Sequence, residues 1–121
     1  MIPVFDSNII IDLGKGYGKA FEELNRYPRV AISVMTWMEV MSGNMGANEE
    51  KTTELFLSNF ELIHISLSLA KIASELRKTY RMKLPDAIIW ASAKSRNTLL
   101  VTRNSKDFPS SFPEIRIPYA L

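Results

Sequence analysis

The sequence predicts an α/β domain in three layers, α/β/α, around a mostly parallel central sheet of four to five short strands. Short apolar runs rich in Val and Ile recur along the chain, and segments with apolar residues at helical spacing separate most of them. That alternation calls for parallel strands joined by helices, with both sheet faces covered. The length of 121 residues suits one domain, residues 1–121, with a core that needs no disulfide or metal staple.

Ile2 to Phe5 reads as the first strand, with Pro3 confined to its start or an edge because it cannot donate to a ladder. A short helix comes next, then a helix over Ala20 to Tyr27 with Phe21 and Leu24 on one face. Arg29 to Ser33 is the second strand, and Ser33 N-caps a helix that runs to about Ser42 and ends at Gly43. Glu49 to Asn59 forms a helix with Leu55 and Phe56 inward, and Glu61 to Ile65 is the third strand. Ser66 to Tyr80 is helical, with Leu69, Ile72, Ala73 and Leu76 at helix period. Pro85 suits the first turn of a mostly buried helix that reaches Lys94. Thr98 to Thr102 is the fourth strand and Ile115 to Ile117 a weak fifth.

Composition narrows the function classes. Hydrophobic residues make up 46% and charged residues 23%, as in an ordinary soluble protein. No cysteine is present, which removes disulfide frameworks and Cys-ligated zinc and agrees with a reducing cytoplasm. No apolar run approaches the roughly 18 residues of a membrane span, and the N-terminus lacks a signal-peptide pattern. Residues 1–70 hold nine acids and five Lys/Arg, whereas residues 71–121 hold four acids and ten Lys/Arg. A basic half points to a polyanionic partner, nucleic acid above all.

The stretch "VFDSNIIIDL" places Asp6 between Phe5 and a run of isoleucines. At the end of a parallel strand, this carboxylate points into the crevice where open α/β sheets bind ligands. Ser7 and Asn8 satisfy the turn and cap the short helix after it. In "SVMTWMEVMSG", Thr36, Glu39 and Gly43 share a helix face that rises beside the strand ends, while Trp37, Val40 and Met41 point elsewhere. Asp86 lies in the first turn of its helix, where the dipole favours negative charge. Each acid alone reads as a helix cap or a solvated side chain. Together, in one crevice, they repel unless a cation neutralises them. The ligands are all oxygen, which selects Mg²⁺ or Mn²⁺. An acidic metal site beside a basic half-chain is the layout of a nuclease.

Asp6-Ser7-Asn8, "MEVMSG", "LPDAIIWASA" and "LLVTRNSKDF" together resemble the four motifs of PIN-domain ribonucleases, and their order and spacing are most similar to VapC-type toxins of prokaryotic toxin–antitoxin pairs. The resemblance spans nearly the whole chain. It implies a single PIN domain, metal-dependent endoribonuclease activity (a hydrolase cutting phosphodiesters in the cytoplasm), homodimerisation, and neutralisation by a small VapB-like antitoxin. Asp6, Glu39 and Asp86 match the three core acids, catalytic and metal-binding. Ser7 and Asn8 match supporting positions. Where many members carry an acid directly after "TR", this chain has Asn104, and Asp107 stands three residues later. Asn104 is expected at the site and Asp107 as a further supporting residue. Three carboxylates hold one metal well and a second poorly. The departure at Asn104 leaves a PIN-fold RNA-processing nuclease, or an inactive binding relative, as the alternative.

Other signals carry less. "LGKGYGKAF" reads as a mobile loop, since it fits neither the P-loop nor the dinucleotide fingerprint. His64 reads as a structural residue of the third strand, and Asp12 as a solvated helix residue. In "LRKTYRMK", Arg77, Lys78, Arg81 and Lys83 lead directly to Pro85 and Asp86 and are candidates for the RNA backbone, as is Arg103. A two-component receiver domain would need a carboxylate at the end of the third strand, where "LIHIS" has none.

Overall fold

A computed structural model describes residues 1–109 and 111–121. The elements, in order, are β1 (Val4–Phe5), α1 (Ser7–Gly14), α2 (Gly18–Leu24), β2 (Ala31–Ser33), α3 (Val34–Met41), α4 (Ala47–Leu57), β3 (Glu61–Ile63), α5 (Leu67–Tyr80), α6 (Leu84–Ser95), β4 (Leu100–Val101) and β5 (Ile115–Arg116). The strands form one sheet in the order β3-β2-β1-β4-β5, and every neighbouring pair is parallel. Val4 pairs with Ala31 on one side and Leu100 on the other, so β1 lies at the centre.

Strand alternation builds the three layers. Val4, Ala31 and Leu100 face one core with Leu69, Ala73 and Leu76 of α5 and Trp90 of α6. Their neighbours Phe5, Ile32 and Val101 face the other core with Ile9, Ile10 and Leu13 of α1. The strands have two or three residues each, and β1 to β4 contribute to both cores, whereas β5 gives Ile115 to one and pairs Arg116 with Glu23. The chain order places the crossover point between β1 and β4. There the chain from β1 turns towards β2, and β4 is added on the opposite side. Two parallel strands whose connections diverge leave a crevice beyond their carboxyl ends.

Ser33 caps its helix as the sequence predicts, its Oγ accepting from Met35 N–H at 3.0 Å. Ser66, expected inside its helix, is the N-cap instead, its Oγ accepting from Leu69 N–H at 3.1 Å. Other expectations fail. Leu55, expected inward, is 72% exposed. On α4 the inward side instead presents Leu57 and Phe56, the latter edge-on to Phe60 with centroids 5.4 Å apart. This helix is polar nearly all round, so its apolar pattern could not fix its rotation. The Gly-rich segment is not a long loop. Only Lys15, Gly16 and Tyr17 separate α1 from α2. Gly16 takes a left-handed φ of +76° there, and Tyr17 N–H donates to the Asp12 carbonyl at 3.0 Å. β3 stops at Ile63, leaving His64 and Ile65 exposed beyond it.

Candidate active site

Asp6 is the first residue beyond β1 and the N-cap of α1. Its backbone is extended, so its side chain turns back over the helix start, where Oδ1 accepts from Ser7 N–H at 2.7 Å. Oδ2 accepts from the Thr102 hydroxyl at 2.8 Å and from the Asn8 amide at 3.3 Å. Thr102 is the first residue beyond β4, so the β1–β4 pairing delivers the contact. Asp6 is only 4% exposed. Burial pushes its carboxyl up to about 6 from an ordinary 3.8; the donors Thr102 and Ser7 oppose that rise, and the charges of Asp86 and Glu39 add to it.

The second acid comes from α3. Thr36, fully buried, and Glu39 share one face of that helix, one turn apart. Ser7 Oγ lies 3.0 Å from Thr36 Oγ1 and 2.6 Å from Glu39 Oε1. A hydroxyl has one hydrogen, and the shorter, charge-assisted contact to the carboxylate takes it. Ser7 therefore orients Glu39, while its backbone N–H holds Asp6. Asp86 stands half-buried in the first turn of α6. Burial raises its pKa, the charges of Asp107 and Glu39 raise it further, and Lys83 opposes them. Asp6 thus feels the charges of Asp86 and Glu39, and Asp86 those of Glu39 and Asp107.

The fourth motif is arranged differently from its expected ranking. Asn104 Oδ1 accepts from the backbone N–H groups of Lys106 and Asp107, at 3.2 and 3.1 Å. Its amide donates to Asp107 Oδ2 at 2.8 Å. Asn104 therefore shapes a turn and aims Asp107, the residue whose charge reaches Asp86.

One expectation is corrected outright. Asp12 is not solvated but 3% exposed. The guanidinium of Arg103, expected to meet substrate, is bound to it bidentately, Nε to Oδ2 at 2.7 Å and the terminal nitrogen to Oδ1 at 3.2 Å. Tyr119 donates to the same Oδ2 at 2.8 Å. Burial alone would raise the Asp12 pKa, but the bonds from Arg103 and Tyr119 overcome it and hold the carboxyl below its ordinary range. Arg103 N–H also donates to Asn8 Oδ1 at 3.3 Å, which ties this clamp to the neighbour of Asp6. Asp12 and Asn8 are four residues apart on α1, and that spacing was the available signal. Thr102 was likewise within reach of sequence reasoning as the hydroxyl directly after the fourth strand. Of the basic run, Arg77, Lys78, Arg81 and Lys83 are all exposed at the α5–α6 junction, and Lys83 is the N-cap residue of α6.

The donor set is hard oxygen throughout, and burial, with added repulsion between the acids, raises Asp6 and Asp86; a divalent cation offsets both effects. In this respect the residues fit such an ion. Among the described residues, no three acids or histidines stand at metal-ligating separation. A broader hollow lies between α2 and α4, lined by Tyr27, Phe56 and Phe60, but its Glu61 is tied to Arg29 and Arg96.

Stability of the metal-free protein should track the Asp6 titration. A folded-state pKa of about 6 against 3.8 means that the folded form holds the proton more tightly. The group's contribution is full below pH 3.8 and is lost as pH rises through about 6. The shift corresponds to about 3 kcal/mol. Thermal melts in EDTA should therefore fall between pH 5 and pH 7.5, and Asp6→Asn should remove most of that fall. Equal pH slopes in the two proteins would sink this account of Asp6.

Residues 4–110 match the family described as the PIN domain. No curated protein matches the chain significantly. Among solved structures, a chain of a toxin–antitoxin complex from Klebsiella pneumoniae is 43% identical, with 98% of this chain and 99% of that one covered and a TM-score of 0.91. VapBC2 from Rickettsia felis, bound to a DNA fragment from its promoter, is similar at 24% identity, 95% and 96% coverage and a TM-score of 0.79. DNA-bound VapBC from Salmonella typhimurium is similar at 23% identity, 96% coverage of both chains and a TM-score of 0.78. At those last two identities the likeness speaks for the fold. Among the described residues, no helix is long and apolar enough to cross a membrane.

Proposed function

The chain belongs to the PIN-domain family, and from that premise we propose that it is a VapC-type toxin: a metal-dependent endoribonuclease, acting in the cytoplasm as a single PIN domain over residues 1–121, homodimeric, and neutralised by a small antitoxin. The observation that supports the reading is Asp6, buried just beyond the central strand β1, held by Thr102 from the end of β4 and joined through Ser7 to Glu39. The 43% identity to a chain of a toxin–antitoxin complex supports the antitoxin as partner.

Asp6, Glu39 and Asp86 are the residues that would hold Mg²⁺ or Mn²⁺. The chemistry such an ion supplies when bound is acidification of a water and neutralisation of charge on the phosphate. The chain's own residues do the rest. Thr102 and the Ser7 N–H fix the direction of Asp6, and Ser7 Oγ fixes Glu39. Asn104 keeps Asp107 turned towards its partners. Arg77, Lys78, Arg81 and Lys83 attract the phosphate backbone as exposed point charges, so docking weakens as salt rises.

Purified protein should cut RNA with Mg²⁺ or Mn²⁺ and stop when EDTA is added. Water, not the ribose 2′-hydroxyl, is the nucleophile in this reading, so the new fragments should carry 5′-phosphates. End-labelling of the products checks both points. Cleavage that survives exhaustive chelation, or 2′,3′-cyclic phosphate ends, would overturn the mechanism.

A further inference from the structure

The last turn of α5 carries Tyr80, a large aromatic side chain that remains 41% exposed. Its ring is held from beneath by Trp90, with centroids 5.2 Å apart, and edge-on by Phe112 at 5.7 Å. Trp90 is fully buried and is itself braced by Phe108 at 6.3 Å and Phe112 at 5.6 Å. The tyrosine is thus fixed on its inner side and open on its outer side. A ring locked before binding loses little freedom when a ligand stacks on it.

Tyr80 forms one wall of a hollow whose other lining includes Lys106, Asp107, Phe108 and Pro109. The lining is mixed: Tyr80, Phe108 and Pro109 supply apolar surface, and Ser105, Ser111, Lys106 and Asp107 supply hydroxyls, one cation and one carboxylate. Asp107 belongs to the hollow and to the acid site at once, since its charge raises the pKa of Asp86. Arg77 lies one turn before Tyr80 on α5, and Arg81 comes directly after it in a left-handed conformation at φ 55°. Both are exposed, as is Lys106. Aromatic platforms interleaved with backbone-binding cations are how proteins hold single-stranded nucleic acid.

We propose that this hollow is a nucleobase subsite: a base of the RNA strand, close to the scissile phosphate, stacks on Tyr80 while Arg77, Arg81 and Lys106 meet the adjoining phosphates. The inference rests on the ribonuclease reading and adds to it the residue that grips the substrate's base. Stacking tolerates any base, because each has a π face. The polar edge supplied by Lys106 and Asp107 then biases which base is held.

The test uses the full-length protein in EDTA, where cleavage is stopped and binding is read alone. Fluorescein-labelled single-stranded RNA is titrated by anisotropy against wild type, Tyr80→Phe and Tyr80→Leu. Phenylalanine keeps the ring and should bind within about twofold of wild type. Leucine fills the space over Trp90 without a ring and should bind about 5- to 150-fold more weakly, the span for losing one stacked base. With metal restored, Tyr80→Leu should also change which bases flank the cuts. A second readout does not depend on how well Tyr80→Leu folds. RNA carrying 2-aminopurine at successive positions should be quenched at one position by wild type and Tyr80→Phe. No quenching at any position, or wild-type affinity in a folded Tyr80→Leu, overturns the subsite. If Tyr80→Leu leaves RNA binding intact but weakens inhibition by the antitoxin, the hollow docks protein and the proposal is wrong. If wild type neither binds RNA in EDTA nor cuts it once metal is restored, the ribonuclease reading falls, and this inference falls with it.

Discussion

Asp86→Asn is expected to cut the rate of RNA cleavage by about a thousandfold or more while leaving the chain folded. Phosphodiester hydrolysis at an acid-held cation draws several kcal/mol from that ion's charge, and each 1.36 kcal/mol is a factor of ten. Asp6→Asn and Glu39→Gln should behave alike, because each removes one of the three carboxylates proposed to hold the ion. Stability should move the other way. Burial and the charges of Asp107 and Glu39 already disfavour an ionised Asp86, so an amide there relieves repulsion. It forgoes a favourable dipole contact in the first turn of α6, worth about 0.3–1 kcal/mol. Single-turnover cleavage beside a thermal melt of the metal-free protein separates the two effects. If all three variants unfold, the acids serve as caps. If Asp86→Asn cleaves at the wild-type rate, the metal-site assignment is wrong. Asn104→Ala should cost less activity than any of the three, because Asn104 acts through the turn that aims Asp107.

Arg103→Ala is expected to destabilise the fold by about 3 kcal/mol, as for a buried ion pair that loses one partner. The deletion strands Asp12, 3% exposed, with only Tyr119 as a strong donor. For a chain of this size the melting temperature should drop by roughly 10 °C. The paired replacement Asp12→Asn with Arg103→Met should recover most of that, because the uncompensated charge is gone. The pair's pH dependence has the sign opposite to that of Asp6. The Asp12 pKa is lowered in the folded state, so its contribution holds above the unfolded value of 3.8 and fades as pH falls below it. Denaturant melts of wild type, Asp12→Asn, Arg103→Met and the double variant close a cycle that gives the coupling directly. If Arg103→Ala leaves stability unchanged and weakens only RNA binding, Arg103 serves the substrate after all.

These two results fall on opposite sides of what the chain's order of residues could say. The acid site was legible because its signals are local. Asp6 comes directly after a strand, Glu39 shares a helix face with Thr36, and Asp86 stands behind a proline in a first turn; each placement needs only a few neighbours. The same holds for Ser33 as a cap. On α4, by contrast, a helix polar nearly all round gave no stripe to fix its rotation, and Leu55 was misassigned.

By itself, then, the sequence determined the α/β class, the order of strands and helices, and three acids at the ends of elements, since period, capping and turn chemistry act over a few residues. The tertiary structure alone decided the strand order β3-β2-β1-β4-β5, which brings Thr102 to Asp6 across 96 residues. It alone decided that Asp12 is buried, through Arg103 and Tyr119, which lie 91 and 107 residues away along the chain. Whether a carboxylate is solvated, or buried against a cation, depends on what the fold carries to it. That partner's arrival is a property of packing, which no window of neighbouring residues contains.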